Sequence, residues 1–297
     1  MKLTIAVVTM NRSGQLIEAL DSCLSCNLPF DTEFVVIDNA STDDTEEKVK
    51  AKLDNCDYTY YYEKLSENIG CGGGRNYAYS KTNGDYVYVL DDDAVISPDN
   101  TNFFMDAIEI LDEHKDIATL TTQIYDEAWK ENRVNQSSIE LYQGVYKAHM
   151  FCGGSHFLRK SFFQDAPYLS NKYGYEEIVP SCRVFDANMQ NVFCPNLLII
   201  HKPKINKWDY NDKNNSILVR SFAIMYVIKR RLYPRIFGPI VWAVYRYRRF
   251  KHTRGVKGAK TVAKEVISQT NVQTCGLKRI KVKTVLKMYK DFGLSVF

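Results

Sequence analysis

The sequence predicts an α/β protein: a doubly wound, Rossmann-like and mostly parallel sheet flanked by helices, with a basic helical region at its C-terminal end. Three observations predict it. β-branched runs without strict alternation recur between amphipathic or charged stretches through residue 124, and polar clusters close those runs. Charge is also divided unevenly: residues 1–200 hold 16 Lys and Arg against 31 Asp and Glu, whereas residues 201–297 hold 23 against 4. At 297 residues, 45% of them hydrophobic and 25% charged, the chain can bury a large core, which excludes disordered, collagen-like and small disulfide-stapled classes. Its eight cysteines follow no repeating spacing and no charged-then-apolar leader precedes Leu3, so a reducing cytoplasm is expected. The longest apolar runs, such as 237–245, fall far short of the roughly 18 to 20 residues that cross a bilayer, so no integral membrane protein is expected.

Residues 2–10, with Leu3, Ile5, Val7 and Val8, read as a strand covered on both faces. Leu16, Ile17, Leu20 and Leu24 give 11–25 helical spacing, and 33–37 form a second strand ending at Asp38, which completes a βαβ unit. A charged helix over 45–53, a short strand over 58–63, a helix over 73–81 and a strand over 86–90 that runs into Asp91, Asp92 and Asp93 continue the alternation. Further on, 103–113 predicts a helix, 117–124 a strand, 127–142 a loop with a hairpin, and 151–158 and 196–201 strands, with a helix opening near 177–183. After Lys204 the texture changes to basic helices over 217–232, 236–250, 259–268 and 277–289, separated by Pro234, by Gly255 and Gly258, and by Gly276. The expected division is a body over 1–205 and a basic helical region over 206–297.

Ligands of open α/β sheets sit outside the carboxyl ends of the strands, which singles out Thr9 to Arg12, Asp38 with Asn39, and Asp91 to Asp93. Carboxylates at alternate positions of the last turn can converge on one hard divalent ion, Mg²⁺ or Mn²⁺, although an isolated acidic turn can also be merely solvated. Asp38 can accept from a ribose hydroxyl or a base N–H, while Ser41 or Thr42 is suited to capping the next helix. Gly70, Gly72, Gly73 and Gly74 stand just before a predicted helix, where backbone N–H groups can approach phosphate and Arg75 adds charge. No Lys-Ser/Thr pair follows, so this is no Walker A loop, and it lies outside the first βα turn where a dinucleotide fingerprint belongs. Cys23 and Cys26 share a predicted helix with no second Cys/His pair, which argues for buried thiols over zinc.

The ordered segments Val-Val-Thr-Met-Asn-Arg (7–12), Val-Ile-Asp-Asn-Ala-Ser-Thr-Asp (36–43), Glu-Asn-Ile-Gly-Cys-Gly-Gly-Gly-Arg-Asn (67–76) and Val-Leu-Asp-Asp-Asp (89–93) resemble the inverting family 2 glycosyltransferases of the GT-A fold. Phe-Cys-Gly-Gly-Ser (151–155) is similar to that family's acceptor-side strand, 173–183 to its acidic helix segment, and 194–201 to its closing strand with a metal-binding histidine. The resemblance covers 3 to about 203 and implies a nucleotide-binding half over about 1–95 and an acceptor-binding half over about 96–205. It implies that Thr9, Arg12, Asp38, Asn68, Arg75, Asp91 and Asp92 bind the donor, and that Asp93 and His201, with Asp91, ligate Mn²⁺ or Mg²⁺. Glu177, following Glu176, falls where the family has its catalytic base, and inversion by one displacement needs such a carboxylate. Glu177 stands in place of the more usual aspartate and Val179 where many relatives carry another acid, so Glu176 and Glu177 both stay candidates. Without the resemblance the two acids read as helix-start residues and His201 as a satisfied interior histidine.

The resemblance implies a UDP- or dTDP-linked donor, a saccharide or lipid-linked acceptor, and a cytoplasmic enzyme, peripheral on the inner face of the cell membrane, that serves cell-surface polysaccharide assembly. The basic region 206–297 suits an anionic membrane surface, with Tyr233, Trp242, Tyr245 and Tyr247 beside Arg246, Arg248 and Arg249; a helical cap with a solvated basic face is the competing reading. Nucleic acid is not an expected partner, since no nucleic-acid module is recognisable. Two other functions compete: a nucleotidyltransferase, which would carry a basic glycine-rich loop absent from 9–14, and a catalytically inactive nucleotide-sugar- or membrane-binding subunit.

Overall fold

The computed structural model describes residues 1–134, 137–170, 174–203 and 216–297. The chain divides into two units, Met1–Pro203 and Lys204–Phe297. In the first, β1 (Leu3–Thr9), α1 (Ser13–Leu24), β2 (Thr32–Asp38), α2 (Thr45–Leu53), β3 (Thr59–Lys64), α3 (Gly70–Ser80) and β4 (Tyr86–Asp91) alternate as expected. They are followed by β5 (Ala94–Ile96), α4 (Phe103–Glu113), β6 (Ile117–Asp126), β7 (Glu131–Asn132), β8 (Glu140–Tyr142), β9 (Val145–Lys147), β10 (Ser155–Arg159), α5 (Ile178–Asp186) and β11 (Gln190–His201).

One sheet results, in the order β3-β2-β1-β4-β10-β6-β11-β9-β8, with β5 on β11 and β7 on β6. Strands β3, β2, β1 and β4 are parallel, β10 runs antiparallel between β4 and β6, and β11 is parallel to β6. Alternate residues of the central strands enter two cores. Ile5, Val7, Phe34, Val36 and Tyr88 join Leu16, Leu20, Phe103 and Phe104 on one face. Ala6, Val35, Ile37, Val87 and Val89 join Ala78, Tyr79 and Leu158 on the other. Burial on both sides is why these strands show no polar alternation. Tyr88 anchors the first core, its ring 5.3, 5.2 and 4.5 Å from those of Phe103, Phe104 and Phe157, and its hydroxyl is 2.7 Å from Ser155 Oγ.

Four elements of this unit differ most from expectation, and in the second unit the helix expected over 259–268 runs on to Gln273 and the one expected over 277–289 begins only at Val282. Helix α3 begins at Gly70, three residues early, so the glycines form its first turns. Packing accounts for the glycines there: a Cβ on Gly72 would run into the Leu169 carbonyl oxygen, and one on Gly74 would lie 2.7 Å from Val8 Cγ1. Strand β11 starts at Gln190 and carries Pro195 through a register shift between Cys194 and Leu198, a place where a missing N–H costs nothing to the ladder. Strand β10 starts only at Ser155, leaving 151–154 as a loop, and the three residues of β5 are too few to carry a period. Tyr173, in the segment read as resembling an acidic helix, and the expected boundary at 205/206 lie outside the described residues.

The second unit comprises α6 (Ile217–Leu232), a short 3₁₀ turn over Arg235–Phe237, α7 (Gly238–His252), α8 (Ala259–Gln273), α9 (Val282–Phe292) and a closing 3₁₀ turn over Gly293–Val296. Helix α6 buries more apolar side chains than any other helix of this unit, among them Val219, Ala223, Ile224, Val227 and Ile228, and Tyr226 stacks on Tyr245 of α7 at 4.5 Å. The chain end is tied in by the Tyr233 hydroxyl, which donates to the Val296 carbonyl at 2.7 Å. Among the described residues no helix is long and apolar enough to cross a membrane.

Candidate active site

Sheet register brings the candidate residues to one edge. Thr9 pairs with Asp38 and Val8 with Asp91, so β1, β2 and β4 end together. Antiparallel pairing of β5 with β11 sets Ala94 opposite His201, and the Lys202 N–H donates to the Asp93 carbonyl at 2.7 Å, which places Asp93 beside His201. On the far side, Gly174 (φ 82°) and Tyr175 (φ 64°) turn the chain through left-handed backbone just before Glu176 and Glu177. A left-handed conformation is costly for a tyrosine and marks a segment held by its surroundings. Between these elements opens a cleft of about 700 Å³ lined by Thr9, Arg12, Asn68, Arg75, Asp91, Asp92, Asp93, Arg133, Glu176, Glu177 and His201, among others.

The floor of the cleft is a chain of charge-assisted contacts. Thr9 Oγ1 donates to Asp92 Oδ2 at 2.8 Å, and Arg12 Nη1 donates to Asp92 Oδ1 at 2.8 Å and to Asp93 Oδ2 at 2.7 Å. His201 Nε2 lies 3.4 Å from Asp93 Oδ1, and its Nδ1 lies 2.6 Å from Asp126 Oδ1. Arg133 grips Asp126 with two bonds, from Nε at 2.7 Å and Nη2 at 2.9 Å. With a carboxylate on each ring nitrogen the imidazole is favoured in its protonated form, and a cation bound beside Asp93 would take the place of the Nε2 proton while Asp126 keeps the one on Nδ1. Asp91, Asp93 and His201 each offer a ligand atom, and all of these atoms lie within 4.8 Å of one another. Such a set of oxygens and one imidazole nitrogen fits a divalent cation.

Electrostatics separates these carboxylates. Burial pushes Asp92 up to about 6, with Asp93 and Asp91 adding to the rise against Arg12 and Thr9. Burial works the same way on Asp93, but the His201 hydrogen bond and charge, together with Arg12, outweigh it and hold Asp93 below the usual range. For His201, burial alone would lower the pKa, and its contacts with Asp93 and Asp126 carry it upward.

The wall is built around Arg75, buried on α3. Its Nη2 donates to Asp91 Oδ1 at 2.5 Å and its Nη1 to Glu176 Oε1. Two glycines make room: a Cβ on Gly153 would stand 2.9 Å from Arg75 Nη1, and one on Gly154 3.0 Å from Asp91 Oδ2. Glu176 is thereby buried and engaged, whereas Glu177, at the start of α5, makes no side-chain capping bond to the helix. Burial and the neighbouring Glu176 raise Glu177 to about 8.

Of the sequence candidates, the structure gathers Thr9, Arg12, Asn68, Arg75, Asp91, Asp92, Asp93, Glu176, Glu177 and His201 around one cleft. Asp38 is not brought to the cleft lining; it is fully buried, Oδ1 accepting from the Ser41 N–H at 2.7 Å and Oδ2 from the Tyr62 hydroxyl at 2.9 Å. Asn68 Oδ1 accepts from Asn39 Nδ2 at 3.0 Å and the Gly70 N–H at 2.8 Å, so it also pins the start of α3. Sequence reasoning missed Asp126, Arg133 and the room made by Gly153 and Gly154. Asp126 ends β6 as Asp91 ends β4, and would have been found had that strand been carried two residues further. Arg133 had no local signal; the two-residue β7 sets it there through its N–H to the Ile124 carbonyl at 2.8 Å.

Residues 4–166 match the profile of Glycosyl transferase family 2. An uncharacterized glycosyltransferase of Mycoplasma pneumoniae, the MG060 homolog, is 26% identical over 188 residues, spanning 60% of this chain and 60% of that protein. The abequosyltransferase RfbV of Salmonella typhimurium is 31% identical over 101 residues, spanning 34% of this chain and 30% of its own length. The chain therefore matches less than two thirds of either relative. Staphylococcus aureus TarS 1–349 in complex with UDP-GlcNAc has a similar fold, with a TM-score of 0.65 at 16% identity, covering 100% of this chain and 89% of that one. The mannosyltransferase PcManGT of Pyrobaculum calidifontis, in complex with GDP-Man and Mn²⁺, gives 0.62 at 17% identity, covering 100% and 81%.

Proposed function

The chain belongs to Glycosyl transferase family 2, and from that premise we propose that it transfers a hexosyl-type sugar from a nucleotide donor to a saccharide hydroxyl, with inversion and with a divalent cation. The observation that carries the reading is the facing of two unlike sets across one cleft: Asp91, Asp93 and His201 on the floor, Glu177 on the wall. Mn²⁺ or Mg²⁺ fits the floor set, because carboxylate oxygens with one neutral imidazole suit such ions. When bound there, the ion supplies positive charge beside the donor diphosphate.

The chain's own residues do the rest. Thr9, Arg12 and Asp92 form the bonded corner against which the donor lies, with Asn68 at its edge, while Asp38 holds the turn at Ser41. Arg75 holds Asp91 in place. Glu177, its pKa raised to about 8 by burial and by Glu176, takes the proton from the acceptor hydroxyl as that oxygen attacks the anomeric carbon. Glu176, held by Arg75, positions it. A nucleotide-sugar donor is in keeping with the UDP-GlcNAc and GDP-Man complexes of the similar folds, and a UDP- or dTDP-linked one is what the sequence resemblance implies. A lipid-linked acceptor in cell-surface polysaccharide assembly, with 206–297 holding a cytoplasmic enzyme to the inner face of the membrane, accounts for the charge division.

The test is turnover of a panel of nucleotide sugars with and without Mn²⁺, followed by acceptor-free donor hydrolysis in Asp93→Ala and Glu177→Ala. Turnover in the wild type and its loss in both variants is expected. A wild type that melts higher with a nucleotide sugar yet never consumes one would leave a binding subunit instead.

A further inference from the structure

Helix α7 turns a narrow face inward, through Val241 and Tyr245, and leaves a broad one to solvent. Positions 239, 242, 243, 246, 247, 250 and 251 recur at i+3 and i+4 and together cover about half the circumference of the helix, and 254 continues that face past the helix end. On a solvated helix that stripe would be polar. Here it carries Trp242, Tyr247 and Phe250, exposed by 52%, 61% and 69%, with Ile236 just before it at 71%. Cations are interleaved with the rings: Arg246 lies over Trp242 at 5.4 Å, Lys251 over Tyr247 at 5.9 Å and Arg254 over Phe250 at 5.7 Å. The helix contains no carboxylate, and residues 216–297 hold 19 Lys and Arg against Glu265 and Asp291 alone.

We propose that the outward stripe of α7, with Ile236, is a docking surface for an anionic lipid bilayer. The rings and the Ile236 side chain enter the boundary between headgroups and acyl chains, where aromatic side chains with a wet edge are favoured. Arg246, Lys251 and Arg254 slide off the ring faces to meet lipid phosphates, so charge and apolar area act along the same line. A merely solvated basic cap does not account for three large rings in water on one stripe. The proposal deepens the membrane partnership stated above and rests on it, but it concerns a unit whose surface can be tested without transfer chemistry.

The experiment is co-sedimentation of the full chain with vesicles of phosphatidylcholine alone or mixed with phosphatidylglycerol. Binding to the mixed vesicles only, weakened by salt, is expected. Trp242→Ala with Phe250→Ala should lower the partition coefficient by about tenfold or more. Arg246→Gln, Lys251→Gln and Arg254→Gln should each lower it about fivefold. The conservative Trp242→Phe with Arg246→Lys should restore most of the binding. Far-UV dichroism and unchanged donor hydrolysis exclude misfolding, since every altered side chain faces solvent. A wild type that ignores anionic vesicles, or an aromatic double variant that sediments like the wild type, overturns the proposal. So does tighter, Trp242-dependent binding to single-stranded RNA than to vesicles. Vesicle binding without any donor turnover would sink the transfer reaction and leave this surface standing.

Discussion

The floor of the cleft and its α5 wall handle negative charge in opposite ways. On the floor every carboxylate has a cation: Asp92 and Asp93 share Arg12, Asp126 has Arg133, and Asp91 has Arg75. At the wall Glu176 takes the remaining half of Arg75, and Glu177 forms no ion pair among the described residues. The result is a low-lying Asp93 and a Glu177 raised to about 8. Compensated carboxylates are fixed in place and stay ionised, which suits ligands. An uncompensated one can exchange a proton near neutrality, which suits a base.

Removing a floor ligand should have the largest effect. Asp93→Ala takes away one of three ligand groups and leaves Arg12 and His201 facing each other without their shared anion. Metal-assisted departure of a phosphate contributes several kcal/mol, so turnover should fall by about a thousandfold or more, and the rise in melting temperature with Mn²⁺ should vanish. Retention of both by this variant would place the cation elsewhere.

Glu177→Gln addresses the wall and should lower kcat by roughly a hundredfold to ten-thousandfold while donor affinity is kept. In the wild type kcat/KM should climb with pH toward a plateau above about 8, because the base acts only when ionised, and the glutamine variant should lose that limb. An unchanged rate profile in the variant would pass the role to another group. Asp126→Asn is a subtler floor change: with Nδ1 of His201 no longer held by a carboxylate, affinity for Mn²⁺ should drop about 10- to 100-fold. Titration of the melting temperature against Mn²⁺ measures it, and an undiminished affinity would show that His201 needs no partner on Nδ1.

Much of the floor could be read directly from the sequence because it is local. Thr9 and Asp91 close apolar strands, and strand ends in an open α/β sheet gather at one edge whatever the side chains are. The wall could not, because it depends on contacts between distant segments. Nothing near Arg75 announces that it spans Asp91 and Glu176, 16 and 101 residues away. Nor does the glycine run reveal that Gly72 and Gly74 admit a carbonyl and a valine, a requirement of packing that looks in the sequence like a phosphate loop. The basic helices were legible as helices, but which face of α7 points to water depended on Tyr245 finding Tyr226.

The sharpest form of the contrast between adjacent residues is thermodynamic. In the unfolded chain the Glu177 carboxyl ionises near 4.5, whereas in the cleft it holds its proton to about 8. Between those values the folded state binds more protons than the unfolded state, so Glu177 makes stability fall as pH rises through that window. Glu177→Gln removes the fall: the variant should match the wild type near pH 4.5 and melt a few degrees higher above pH 8. Glu176→Gln should do the reverse, because it withdraws an anion from the buried Arg75 guanidinium, a loss of roughly 3 to 5 kcal/mol when a buried pair is broken, reduced here by the Asp91 contact that remains. Melting curves for the two variants across pH 4.5 to 9 therefore diverge in sign, and parallel curves would mean that neighbouring carboxylates share one environment and that the wall offers no distinct base.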